Sequence, residues 1–353
     1  MEQRSYQREV RTVDPAWNLG ELMARIAKAL VSDGPALALT EIAATEVPAK
    51  TALIVTTTGS SGTPKHVALS ASALLASARA SNKYLAAEFG ATWSLLLPLN
   101  HIAGINVLIR SLELGTTPAN LIGFEGKYPK VDYTAIVPTQ LYRALHGDGN
   151  LLQHLQSAKA VLVGGAALTH QLRSDAVAQG INVIETYGST ETSGGCVYDG
   201  QPLDGVEVTI GPDNRIAIKG KVLAYELVDS DGWYFTSDAG RIDDGKLIVT
   251  GRVDDVVITG GENISLTAID RVISQTYPNI QSAAFALADS EWGQAIHLAI
   301  VGSDRSNEAG IQEILVNEIG AASKIKGFHY LEELPLRGIG KIDRAALGGL
   351  FGE

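Results

Sequence analysis

Apolar positions along the chain change their spacing several times, and each change marks an element. Residues 17–31 carry apolar side chains at helical intervals, and 70–87 is alanine-rich with the same period. Between them, 51–57 is β-branched and ends at glycine, which reads as a strand running into a loop. Short strands are expected at 93–97, 133–137, 159–163 and 181–185, with helices at 140–145 and 168–179. Strands that alternate with helices predict stacked α/β layers. From 205 to 250 the pattern turns to short β runs, at 206–210, 215–219, 222–227 and 246–250. Asp213-Asn214 and Asp244-Gly245 supply hairpin turns between some of them. Beyond Gly251-Arg252 the pattern is α+β: a helix at 266–275, strands at 280–287 and 295–301, and a helix at 311–319. The expected fold class is therefore α/β. A large N-terminal α/β domain with mixed sheets and a β-rich subdomain covers residues 1–251, and a small α+β domain covers 252–353.

Length and composition support a folded protein. A chain of 353 residues can bury a large core and a smaller one. Its 45% hydrophobic and 19% charged residues sit near the globular norm. The net charge of −11, with no run of Lys and Arg, argues against a nucleic-acid partner. An anionic substrate must then be held by locally placed donors against the overall field. The first ten residues are charged and polar, unlike a secretory signal, and no apolar run approaches the ~20 residues that span a bilayer. No membrane insertion is expected. The single cysteine, Cys196, cannot form an internal disulfide and suits a reducing compartment, so a cytoplasmic location is expected, with Cys196 as a small buried hydrophobe.

Candidate chemistry begins at the strand ending near Thr57. It leads into Thr58-Gly59-Ser60-Ser61-Gly62-Thr63-Pro64-Lys65, where glycines allow a sharp turn and N–H groups, hydroxyls and one lysine could face a polyphosphate. A Walker A loop needs Gly-Lys-Ser/Thr opening a helix, and here Pro64 precedes the lysine while His66 follows it. Alone, the segment fits an ordinary loop rich in turn formers equally well.

Six further segments follow in order. They are Pro98-Leu99-Asn100-His101-Ile102-Ala103-Gly104, Val163-Gly164-Gly165-Ala166-Ala167-Leu168, Tyr187-Gly188-Ser189-Thr190-Glu191-Thr192, Trp233-Tyr234-Phe235-Thr236-Ser237-Asp238, Gly251-Arg252-Val253-Asp254-Asp255 and Gly338-Ile339-Gly340-Lys341-Ile342-Asp343-Arg344. Together the seven resemble the adenylate-forming superfamily of acyl-CoA synthetases, adenylation domains and luciferases. Asn100–Gly104 with Val107-Leu108-Ile109-Arg110, the run Gly194-Gly195-Cys196-Val197-Tyr198-Asp199-Gly200 and Pro202-Leu203-Asp204-Gly205-Val206 look most similar to the o-succinylbenzoate–CoA ligases of menaquinone synthesis, in a short form. Relatives usually carry a longer region before the phosphate loop, a glycine where His66 stands, and a glycine where Ser237 stands.

The resemblance implies ATP, Mg²⁺ and coenzyme A (as co-substrate), a small-molecule carboxylic acid as the remaining partner, and leaves a homodimer open. Activation joins two anions, so a cation near the α-phosphate is the chief requirement. The resemblance gives that part to Lys341, which otherwise reads as a surface lysine in a turn. Thr57, Thr58, Gly59, Ser60, Ser61, Gly62 and Lys65 would hold the phosphates. Thr190 would add a hydroxyl near the α-phosphate. Glu191 would hold Mg²⁺, for which one carboxylate beside phosphate oxygens suffices. Tyr187 and Gly188 with Gly164, Gly165 and Ala166 would line the adenine. Asp238 would accept from the ribose hydroxyls, with Arg252 adding a ribose or phosphate contact. His101, Ser193, Gly194 and Gly195 would flank the acyl group. The small C-terminal domain would be mobile, turning at Asp254 between two poses, one with Lys341 at the phosphate and one with Gly260 and Gly261 on the CoA path. Each of Glu191, Asp238 and His101 also has a plainer reading, as a solvated carboxylate, a turn residue and a capping or core histidine. The alternative functions are another aryl- or acyl-CoA ligase, a stand-alone carboxylate-adenylating enzyme, or an idle nucleotide-binding protein.

Overall fold

A computed structural model of the chain describes residues 7–58, 64–253, 255–337 and 341–352. At its centre lies a seven-stranded sheet. Five parallel strands run in the order Val183–Ser189, Ala160–Val163, Tyr133–Ile136, Trp93–Leu95 and Ala119–Asn120, and Gly194–Tyr198 and Gln201–Pro202 extend one edge antiparallel. The two faces of the sheet feed different cores. Ala160, Leu162 and Ile184 pack with the helices Leu19–Leu30, Ala71–Tyr84 and Ile102–Glu113. Val161, Val163 and Val183 face the helices Pro138–His146, Gly149–Ser157 and His170–Ala178. Burial on both faces is why these strands read as unbroken apolar runs.

Local signals set the helix ends. Asn18 and Glu21 form a reciprocal capping box, each side chain accepting from the other's backbone N–H at 3.0 Å. Ser70, Asp148 and Thr169 cap three more helices through their side-chain oxygens. A five-stranded mixed sheet places Thr51–Thr58 between Ala36–Ala38 and Pro64–Ser70. The last of these strands departs from expectation, since Lys65 lies within a strand rather than at the end of a loop. Its segment alternates polar and apolar residues and buries Val67 and Leu69, so pairing with Thr51–Thr58 gives it a core face.

The β-rich region is a four-stranded antiparallel sheet of Val206–Ile210, Arg215–Gly220, Trp233–Asp243 and Lys246–Arg252. The strand expected at 222–227 does not form. Val222, Leu223 and Ala224 are buried, but in consecutive turns, and the Ala224 N–H is spent on the carbonyl of Glu191 at 2.8 Å. The apolar run there marks a loop pressed onto the core. The strand expected at 181–185 begins at Val183 and continues to Ser189.

Residues beyond Val256 build a second sheet from Glu262–Ser265, Val256–Thr259, Gly293–Val301 and Ser282–Asp289, with Gly327–Leu331 parallel to Gly293–Val301. Its apolar cluster runs from Val257 to Ile325, whereas the first core's buried members run from Leu22 to Leu247. No helix among the described residues is long and apolar enough to cross a membrane.

Within this second unit, His297 Nδ1 and His329 Nε2 lie 2.9 Å apart, against the rings of Phe285 and Phe351. Burial holds both imidazoles below the usual histidine range, and the His329 charge adds to the shift at His297 while Asp289 opposes it. A pKa that is lower in the folded state contributes stability above the unfolded value of about 6.5, lost as pH falls through the folded value. The thermal unfolding midpoint should therefore drop between about pH 7 and about pH 5. His329→Gln should flatten that dependence when the two proteins are melted across the same series.

Candidate active site

The candidate residues gather where the parallel strands end, the usual place for a ligand crevice in an α/β sheet. Tyr187, on the Val183–Ser189 strand, donates its hydroxyl to Asp238 Oδ2 at 2.8 Å and lies 3.4 Å from Thr236 Oγ1. Asp238 and Arg252 stand directly opposite each other in the antiparallel pairing of Trp233–Asp243 with Lys246–Arg252. That register brings Arg252 Nη1 to 3.3 Å from Asp238 Oδ1. The Asp238 side chain is 21% exposed and that of Arg252 40% exposed. A pair this open contributes about 0.2–1 kcal/mol, so its effect is to aim the carboxylate rather than to hold the fold. Burial, and then the charge of Asp238, push the Tyr187 phenol well above its ordinary pKa, which keeps it a hydrogen-bond donor. Tyr234 is raised in the same direction by burial and then by the charges of Glu191 and Asp238.

Thr190–Thr192 form a single 3-10 turn after that strand, and Gly188 and Ser189 pair back onto Gly195 and Gly194. The Ser189 N–H donates to Thr192 Oγ1 at 2.8 Å. Ser193, fully buried, adopts the left-handed conformation with φ 53°. Its hydroxyl donates to the Val222 carbonyl at 2.7 Å, and its own carbonyl accepts from Ser77 Oγ at 2.9 Å and Asn106 Nδ2 at 2.8 Å. Gly194 has φ +98°, and a Cβ there would lie 2.1 Å from Asn106 Nδ2, so only glycine fits.

Thr190 and Glu191 are half-exposed on this turn. Among the described residues no hydrogen bond or ion pair holds the Glu191 carboxylate, and no group of three metal-ligating side chains occurs. A lone uncommitted carboxylate suits Mg²⁺, which takes most of its oxygens from phosphate and water. The Pro64–Ser70 strand passes beside the same turn. Thr57 and Lys65 pair across the hairpin there, with Thr57 Oγ1 donating to the Lys65 carbonyl at 3.4 Å. Thr58 ends its strand. His66 Nδ1 and Thr56 Oγ1 share a hydrogen bond of 3.0 Å. Gly59, Ser60, Ser61 and Gly62 lie outside the described residues.

Gly164 follows the Ala160–Val163 strand, so close to the next strand that a Cβ would sit 2.2 Å from Thr186 Oγ1. This brings the 164–166 segment alongside Tyr187, with Gly165 and Ala166 exposed. His101 is the N-cap residue of Ile102–Glu113 but makes no side-chain cap bond. The same helix carries Asn106, so His101 shares a rigid element with the contact to Ser193. Gly260 and Gly261 form the turn between Val256–Thr259 and Glu262–Ser265. Lys341 belongs to a two-stranded hairpin with Leu336–Arg337. Asp254 lies outside the described residues.

Sequence reasoning passed over Asn106 and gave Arg110 no role. The latter, 4% exposed, donates from Nη2 to Tyr198 Oη at 3.2 Å and lies over the Trp93 ring. Its Nε has no partner, and no carboxylate among the described residues pairs with it. A buried guanidinium without a counter-charge is costly. The available signal was its place in the run Val107-Leu108-Ile109-Arg110 that carries the resemblance.

Comparison with known proteins bears on this arrangement. A probable 2-succinylbenzoate–CoA ligase of Mycobacterium tuberculosis is 38% identical over 323 residues, covering 84% of this chain and 83% of the relative. The 2-succinylbenzoate–CoA ligase of Escherichia coli is 33% identical over 295 residues, 75% of this chain and 64% of that protein. A solved structure of an Escherichia coli MenE variant with bound OSB-AMS superposes with a TM-score of 0.74 at 25% identity, covering 96% of this chain and 81% of the other. Residues 4–251 match the family described as AMP-binding enzyme. With that match and a relative similar along most of both chains, the chain belongs to the AMP-binding enzyme family.

Proposed function

We propose that the protein ligates o-succinylbenzoate to coenzyme A through an acyl-adenylate, in menaquinone biosynthesis. The observation that carries this reading is the Tyr187–Asp238–Arg252 group set beside the Thr190–Glu191 turn and the Thr57–Lys65 hairpin. The names of the most similar relatives supply the acid.

In the first half-reaction a substrate carboxylate oxygen forms a bond to the α-phosphorus of ATP, and the bond to pyrophosphate breaks. In the second, the CoA sulfur bonds to the acyl carbon and AMP leaves, so one hard step becomes two easier ones. Asp238, aimed by Tyr187 and Arg252, accepts from the ribose hydroxyls. Gly164, Gly165 and Ala166 border the adenine, with Tyr187 and Gly188 on the other side. The Thr57–Lys65 segment and the Thr190 hydroxyl hold the phosphates. Glu191 would hold Mg²⁺, which when bound offsets phosphate charge. His101, Ser193, Gly194 and Gly195 orient the acyl group. It needs no general base, because a carboxylic acid is already ionised at neutral pH. O-succinylbenzoate keeps a second carboxylate after activation, and we assign the uncompensated Arg110 to it.

Lys341 supplies positive charge to the α-phosphate in the first step only. In this reading residues 1–251 and 252–353 are separate domains, the second turning at Asp254. After the turn Gly260 and Gly261 border the path of the CoA thiol.

Exchange of labelled pyrophosphate into ATP, run across a panel of carboxylic acids, tests the substrate. Exchange with o-succinylbenzoate is expected, and its absence while another acid supports exchange would overturn the choice of acid. Lys341→Ala should lower adenylate formation by about 10²–10³-fold, the usual loss on removing one electrostatic stabiliser, while acyl transfer from supplied adenylate to CoA persists. Equal loss of both steps would contradict alternation. Arg110→Met should raise the KM for o-succinylbenzoate at least about tenfold, since a charged hydrogen bond is worth ~1.5–3 kcal/mol, and leave the KM for ATP unchanged.

A further inference from the structure

Among the described residues, the strands Leu336–Arg337 and Lys341–Ile342 pair only with each other, and an isolated two-stranded hairpin is marginal in water. The described contacts that orient it lie at its base. There the Asp343 N–H donates to the Pro335 carbonyl at 2.9 Å, and Ile342 rests on the apolar cluster around Phe285 and Leu347.

The next residue, Arg344, opens the Arg344–Phe351 helix and sends its guanidinium inward. Nε donates to the Ala284 carbonyl at 2.9 Å, Nη2 donates to Asp270 Oδ2, and Nη1 lies 3.2 Å from Asp255 Oδ2. Each acceptor is fixed in turn. Asp270 Oδ1 accepts from the Ala284 N–H at 2.7 Å, and Asp255 Oδ2 accepts from Thr267 Oγ1 at 2.9 Å. One fork thus spans the Ser282–Asp289 strand, the Leu266–Thr276 helix and the segment that begins directly after residue 254. Only the planar, multi-donor guanidinium can bridge three acceptors in this way.

We propose that Arg344 is a positioning residue for Lys341. Its guanidinium ties the base of the lysine hairpin to Asp255, so that the segment beside the pivot and the hairpin move as one lever. The inference rests on the adenylating role proposed above for Lys341. The Ile342 contacts hold the hairpin down on the sheet, while the Arg344 fork fixes its angle to the pivot. A misdirected lysine would fail at the step that needs it and leave the other step alone.

Two variants separate this from simple support of the fold. Arg344→Gln removes the whole fork, whereas Asp255→Asn weakens only the tie on the pivot side and leaves Asp270 in place. Adenylate formation, read as pyrophosphate release without CoA, should fall about 10–100-fold in Arg344→Gln and less in Asp255→Asn, as expected for a shift of about 1 Å in a reacting group. Transfer from supplied adenylate to CoA should stay within about twofold, and combining Arg344→Gln with Lys341→Ala should add little to the loss from Lys341→Ala alone. Backbone amides at 336–342 should exchange hydrogen faster in both variants, with those of the Gly293–Val301 strand unchanged. The positioning role is overturned if an active wild type keeps its adenylation rate in both variants, if both half-reactions fall together, or if the losses multiply with that of Lys341→Ala. A wild type that adenylates no acid would overturn the activity reading itself, and with it this role, even if the hairpin amides exchanged faster.

Discussion

The candidate site depends on one buried carbonyl. At Ser193 the chain reverses from the last parallel strand into the antiparallel edge of the sheet, and the left-handed conformation there turns the carbonyl oxygen inward. Ser77 and Asn106, on two different helices, both donate to it. An unmet buried carbonyl would cost about 1–3 kcal/mol, so the two donors fix the turn as well as satisfying it. Because Thr190 and Glu191 precede Ser193 in the same turn, their positions follow from that anchoring. Asn106 also occupies the space a side chain at residue 194 would need. The helix that begins after His101 is thereby fixed against the Thr190–Ser193 turn by the same contact.

A second constraint is electrostatic. Glu191 and Asp238 both act on Tyr234, Arg215 and Arg252 oppose them, and Arg252 pairs with Asp238. Lys65 stands exposed on its strand. On the proposed reading a nucleotide adds several negative charges here, in a chain of net charge −11. The adenylating step then calls for further positive charge at the α-phosphate. On the proposed reading Lys341 meets that need, and it leaves again before the thiol arrives.

Much of this was legible in the sequence where burial imposed a simple pattern. Strands covered on both faces appeared as apolar runs, and Asp244-Gly245 gave a true hairpin turn, with φ values of 47° and 72°. The run at 222–227 misled because apolar content reports burial and not conformation, and its backbone was claimed by a carbonyl thirty-odd residues away in sequence, at Glu191. Pro64–Ser70 was missed as a strand because its first three residues, Pro64, Lys65 and His66, are exposed, and only the partner strand defines it. The residues proposed for the nucleotide site stand in ordered motifs. Their mutual geometry was not legible, since the link from Tyr187 to Asp238 joins residues 51 positions apart. Asn106 carried no motif, and Arg110 stood in one with no role attached, because their contacts to Ser193, Tyr198 and Trp93 exist only in the packed chain.

The place where the chain leaves the first core bears on how the two halves of the reaction could alternate. The Val253 N–H still donates to the Ser237 carbonyl at 2.8 Å, so the backbone stays registered to the sheet until one residue after Arg252. On the proposed reading the pivot is therefore adjacent to the ribose-binding pair. A rotation there displaces Arg252 and Asp238 least, because displacement grows with distance from the axis. Nucleotide contacts made by the four-stranded sheet can then persist while the lysine departs. Such a lever transmits its rotation only if the segment after the pivot is stiff. Asp255, held by Thr267 and Arg344 within two residues of Val253, provides that stiffness at the point where bending would otherwise absorb the motion.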